Sequence, residues 1–136
     1  MTNRLSRTLR WGCWLWVVFL AGCRPQAVPG GTEGVVHHGS VMLSDIHVRL
    51  YAADTLAPVG VGISESNGRF ALRTPDASAP LWLPPGSYKA TIESIGPTSL
   101  VFPKEYGDPQ TSPLTITWNG TDRQLDLEVP APTLAP

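Results

Sequence analysis

Cysteine is scarce in this 136-residue chain: there are two, Cys13 and Cys23, and both lie near the N-terminus. With none beyond position 23, the rest of the chain has no means of forming a disulfide, a thiolate nucleophile or a cysteine metal site. Acidic residues are absent before Cys23, although the chain as a whole has eleven against ten basic ones. No basic stripe is present to neutralise phosphates, which argues against nucleic acid as a partner. A helical period is lacking as well, since no segment after Cys23 sustains apolar residues at three- and four-residue spacing for even ten positions.

What the N-terminus does have is three arginines, Arg4, Arg7 and Arg10, ahead of an apolar run from Trp11 to Gly22. This is the pattern of a secretory signal peptide over residues 1–22. About a dozen apolar residues rise roughly 18 Å as a helix, short of the ~30 Å hydrocarbon core, so a permanent span is disfavoured. Leu20-Ala21-Gly22-Cys23 resembles a bacterial lipobox, and the resemblance implies lipidation at Cys23 and a palmitate-bearing lipoprotein tethered to a membrane. Arg24 follows, where an aspartate would favour inner-membrane retention, so the expected address is the cell envelope at the outer membrane. Removing residues 1–22 takes away three basic residues and leaves seven against eleven acidic.

Residues 23–32 continue as the lipidated cysteine and a Pro- and Gly-rich stretch, RPQAVPGGT, with the composition of a flexible linker. Residues 130–136, PAPTLAP, read as a poorly ordered tail because three prolines interrupt them. One small domain over 33–129 lies between. It reads as all-β. Ile46, Val48 and Leu50 alternate with His47 and Arg49; Phe70 and Leu72 with Arg69 and Arg73; Tyr88, Ala90 and Ile92 with Lys89, Thr91 and Glu93. Leu114, Ile116 and Trp118 form one further series, and Leu125, Leu127 and Val129 another, while Val59, Val61 and Ile63 face away from Gly60 and Gly62. Such alternation gives each strand one dry and one wet face, as in antiparallel sheets.

Turn residues fall between these runs: Asn67-Gly68 for a tight hairpin, Pro84-Pro85-Gly86 before Tyr88, and Asn119-Gly120 before the last strand. A short first strand over 34–37 brings the expected count to seven, packed as two sheets. The stretches SESNGRFAL (64–72) and LPPGSYKATI (83–92) resemble the carboxypeptidase regulatory-like domain, a transthyretin-like (prealbumin-type) β-sandwich. Ser64-Glu65 stands where that family has Thr-Asp. PKEYGDPQTSPLTI (103–116) fits the same resemblance in register through Pro103, Tyr106, Asp108, Pro109, Thr111, Ser112 and Leu114. The implied fold is a seven-stranded antiparallel sandwich.

Candidate chemistry is sparse. Lys104, Glu105, Tyr106 and Asp108 would serve acid–base work only if they converged in a pocket; the expectation is instead that Asp108-Pro109 and Ser112-Pro113 form turns, their side chains accepting from amides a few residues on, and order a crossover. Adjacent His37 and His38 point to opposite faces of a strand and His47 turns outward, a poor start for a metal centre. No Gly-x-Ser-x-Gly elbow is present. One branch of the prealbumin fold hydrolyses hydroxyisourate using a C-terminal Tyr-Arg-Gly-Ser, which does not match PAPTLAP. The expectation is therefore a non-enzymatic accessory or interaction module without cofactor or metal, whose partner is an envelope protein or a glycan. A carbohydrate-binding role is the alternative. Tyr51, Trp82 and Tyr106, placed outside the core series, are the aromatic residues available for ligand contact.

Overall fold

The computed structural model describes residues 30–136. The signal peptide and the lipidation site at Cys23 lie outside the described residues. Among those described, ten strands form in chain order: β1 (Glu33–His38), β2 (Val41–Met42), β3 (Ile46–Ala52), β4 (Gly60–Ile63), β5 (Arg69–Ala71), β6 (Gly86–Ser94), β7 (Leu100–Val101), β8 (Thr115–Trp118), β9 (Leu125–Glu128) and β10 (Thr133–Leu134). A 3-10 turn covers Lys104–Gly107. No helix among the described residues is long and apolar enough to cross a membrane. Each of the seven runs read from the sequence contains a strand. The count rises to ten because β2, β7 and β10 are two residues long, too short to show an alternation.

Two four-stranded sheets carry the fold. One runs β4-β3-β6-β8 and is antiparallel throughout, with Val48 lying between Gly62 and Ile92. The other is built on β1, which pairs antiparallel with β2 and β5 and parallel with β9. That parallel pair departs from the expected all-antiparallel sandwich: β9 arrives from the opposite sheet by way of the Asn119 turn and runs in the direction of β1. The inner faces of both sheets meet in one core, with Ile46, Val48, Leu50, Ala90 and Ile92 from one side and Val36, Phe70, Leu125 and Leu127 from the other. Full burial of a large aliphatic or aromatic side chain stabilises the fold by about 1.5–3 kcal/mol.

Strand β4 turns the opposite way from the expected one. Gly60 and Gly62 face inward, while Val61 is half-buried and Ile63 exposed. The reason is Phe70. A Cβ on Gly62 would come within 2.8 Å of Phe70 Cδ2, and one on Gly34, the direct cross-strand partner of Phe70, would run into the same ring. One glycine from each sheet thus makes room for a ring that fills the space between them. Asn67-Gly68, with Gly68 at φ +77°, supplies the left-handed turn expected there. It carries the chain from one sheet to the other, however, since β4 and β5 belong to different sheets.

Both ends of the domain extend further than composition indicated. Gly31 and Thr32, expected in the linker, are buried. Thr32 donates its N–H to Leu81 O at 2.8 Å, its carbonyl accepts from Leu72 N at 2.8 Å, and its hydroxyl accepts from Leu83 N at 2.8 Å. At the other end, β10 within the proline-rich tail pairs with β7, Thr133 opposite Val101 and Leu134 opposite Leu100. Pro132 and Pro136 flank three residues that keep their N–H groups, enough for this short ladder and a further bond from Ala135 N to Ser99 O at 3.0 Å.

Candidate functional site

The three aromatic candidates are separated by the fold. Tyr51 points to the outer face of β3 but is only 7% exposed, so it is not a free platform. It lies across from Lys89, and the residues Ala53 to Leu56 and Pro109-Gln110 line the same cleft and wall it in. Tyr106 is half-buried and packs against the core from the 3-10 turn. Of the three, Trp82 alone is open, at 70% exposed.

Its exposure follows from an extended local chain. Leu81 N donates to Leu72 O at 3.0 Å and Leu83 N to the Thr32 hydroxyl, which turns Leu83 into the core and leaves Trp82 facing out. Alternation along this segment thus leaves Trp82 exposed although leucines flank it on both sides. Trp82 borders a cleft of about 740 Å³, together with Trp118, Glu33, Asp122 and Arg123. These residues come from three separated stretches, around Glu33, Trp82 and the Trp118–Arg123 turn, and no sequence spacing announced the three as neighbours. A second cleft, about 660 Å³, is bordered by Tyr51, Leu56 and Lys89.

The 103–116 segment is ordered by its own side chains. Asp108 Oδ1 accepts from Gln110 N at 2.8 Å, and Asp108 O accepts from Ser112 N at 2.8 Å. Ser112, buried, donates its hydroxyl to Ala90 O in β6 and accepts from Leu114 N at 3.3 Å. Thr111 caps the turn by donating its hydroxyl to Glu105 O at 2.9 Å. Lys104, Glu105 and Asp108 border one shallow hollow that Tyr106 does not line. The segment is tied to β6 at Ala90, and the next residue of that strand, Thr91, is buried although it alternates away from the core series.

His37 has a partner 89 positions away. Its Nε2 bonds Asp126 Oδ1 across the β1–β9 pair, and its Nδ1 lies 2.8 Å from Gly39 O. Both partners are acceptors, so only the imidazolium, with two N–H groups, satisfies both. The Gly39 carbonyl first and the Asp126 carboxylate second hold the His37 pKa above its ordinary value. Burial lowers that of His47, with Arg49 adding to the effect and Glu93 opposing it. Asp76, bonded by the Thr74 and Ser78 hydroxyls in an exposed turn, is pulled down to about 2. Among the described residues, no group of three His, Cys, Asp or Glu is gathered to hold a metal ion.

Comparison with protein-family models, curated proteins and solved structures finds no match to this chain.

Proposed function

We propose that this chain is a lipid-anchored cell-envelope protein whose single β domain acts as a non-enzymatic accessory or interaction module. One observation carries the reading: the lipobox-like Leu20-Ala21-Gly22-Cys23 ends nine residues before Thr32, the residue that ties the start of the chain into the domain. Anchor and folded domain are thus nearly contiguous. Several acyl chains at ~0.8 kcal/mol per buried methylene make such a tether very slow to release. Arg24 favours the outer membrane as its location. A prealbumin-like sandwich of the carboxypeptidase regulatory-like type is supported by two four-stranded sheets around one core and by the ordered 103–116 crossover. The test is labelled palmitate incorporation in cells. Label should appear in the intact chain and vanish in Cys23→Ala; equal labelling of both would sink the anchor.

A second reading, carbohydrate binding, is favoured by Trp82, which offers an indole face beside Glu33, Asp122 and Arg123. Aromatic faces with adjacent hydrogen-bonding groups suit sugar rings, which present both apolar C–H surfaces and hydroxyls. Polysaccharide pull-down signal lost in a folded Trp82→Ala variant would support it. Pull-down undiminished by that substitution would remove it.

A further inference from the structure

The place where the described chain begins and the tryptophan that the fold turns outward are neighbours. A Cβ on Gly30 would lie 3.3 Å from Trp82 Cζ2 and 3.6 Å from Pro80 Cβ, so the Gly30 backbone lies against the indole. Cys23 is seven residues upstream. Seven residues span at most about 25 Å when fully extended. A domain of this size has a radius of gyration near ~13 Å, hence a diameter of roughly 30 Å or more. The tether is therefore shorter than the domain is wide, and the face from which the chain leaves is the face turned toward whatever holds Cys23.

We propose that this face rests on the bilayer, with the Trp82 ring in the headgroup layer and the Arg123 guanidinium directed at lipid phosphates. The proposal rests on the lipid-anchor reading above. Indole has an apolar body and one N–H donor, which suits the boundary between acyl chains and water. Arg123 shares the Trp82 cleft and supplies planar donors that match phosphate oxygens. A short tether also raises the effective concentration of the two surfaces to the order of millimolar. A contact too weak to capture the free domain is then populated once the chain is anchored. Glu33 and Asp122 flank the same cleft, so attraction to anionic lipid is not what holds it. The contact should weaken with salt far less than the docking of a polybasic segment does.

Quenching by brominated lipid tests this. The full chain, isolated from membranes and shown by palmitate label to be acylated, is placed in phosphatidylcholine vesicles with brominated or ordinary acyl chains. Once the signal peptide is removed, Trp82 and Trp118 are the tryptophans that remain, and Trp118 is buried. The difference between the unsubstituted chain and Trp82→Phe isolates the Trp82 emission. That emission should be mostly lost in brominated vesicles, be shielded from aqueous acrylamide, and stay so at high salt. Unacylated Cys23→Ser produced without residues 1–22, and so without Trp11, Trp14 and Trp16, should remain open to acrylamide and fail to float with vesicles.

If the acylated chain shows Trp82 emission indifferent to bromine and open to acrylamide, the anchor stands and the bilayer seat is overturned. Shielding that appears only when soluble polysaccharide is added overturns it too, in favour of the sugar-binding reading. Absence of palmitate removes the anchor and the seat together. Should Trp82→Phe fail to fold, Trp82→Tyr takes its place in the same subtraction, which is needed because Trp118 borders the same cleft.

Discussion

Phe70 wedged between Gly34 and Gly62 makes the packing of this domain measurable. Replacing Gly34 with alanine puts a methyl within 2.7 Å of Phe70 Cε1 and 2.9 Å of Cε2, against ordinary carbon contacts of about 3.5–4.0 Å. The ring cannot swing toward the other sheet, where the Gly62 position approaches it to 2.8 Å. Overpacking of this kind costs about 1–3 kcal/mol. Against it stands a gain of about 0.4–1 kcal/mol, because alanine restricts the unfolded chain more than glycine does. At the middle of both ranges the clash wins by about 1.3 kcal/mol, which at about 4–8 °C per kcal/mol lowers Tm by roughly 5–10 °C. Urea denaturation should show a lower midpoint with an unchanged slope.

Two companion variants sharpen the test. A Cβ added at Gly107 would have nothing within 4 Å, and the residue has no left-handed φ, so Gly107→Ala should raise stability by about 0.4–1 kcal/mol. Phe70→Leu shortens the wedge, so combining it with Gly34→Ala should cost less than the two separate losses added together. Contacting residues couple by about 0.5–3 kcal/mol. A Gly34→Ala midpoint equal to that of the unsubstituted protein, or losses that add strictly, would refute the wedge.

The remaining predictions concern the crossover and the histidine clip. Ser112→Ala removes the hydroxyl shared by Ala90 O and Leu114 N; it should cost about 1–3 kcal/mol in urea denaturation, the loss for a buried group left unpaired. Asp108→Ala frees the Gln110 amide and should lower stability by about 0.5–1.5 kcal/mol, while partner binding, read by pull-down, stays unchanged. His37 has a raised pKa in the fold, so its contribution is fully present below the unfolded value of about 6.5 and fades as pH rises through the higher folded value. His47, lowered by burial, acts in the opposite sense: its contribution is present above about pH 6.5 and is lost as pH falls through its lower folded value. Comparing stability across pH in His37→Gln and His47→Gln should therefore remove slopes of opposite sign.

Much of the secondary structure was legible because its causes are local. Alternation along Ile46–Leu50 and Tyr88–Ile92 needs only a side-chain period of two. Asn119 closes its turn onto Thr121 N and Asp122 N, two and three residues on. The ordering of 103–116 was visible in part, since Asp108 and Ser112 accept from Gln110 N and Leu114 N two residues on, whereas the Ser112 bond to Ala90 O is long-range. The aromatic candidates were less so. Tyr51 alternates outward as its strand requires, yet the adjacent loop Ala53 to Leu56 and the sequence-distant Pro109-Gln110 share its cleft. Nothing in the spacing of Glu33, Trp82 and Arg123 brings them to one cleft.

Strands, most of their dry faces and the turns could be read from the chain alone, because they depend on backbone preference and periodicity within about ten residues. The shortage of cysteine is equally a matter of sequence, and the leader and lipobox readings rest on sequence only. Long-range packing settled the rest. The glycine face of β4 turns inward because the Phe70 ring needs room there. Thr32 and the Thr133–Leu134 strand belong to the fold, β9 runs parallel to β1, and His37 meets Asp126. Each of these is a contact between segments far apart in the chain, selected by packing two sheets around one core rather than by any local pattern.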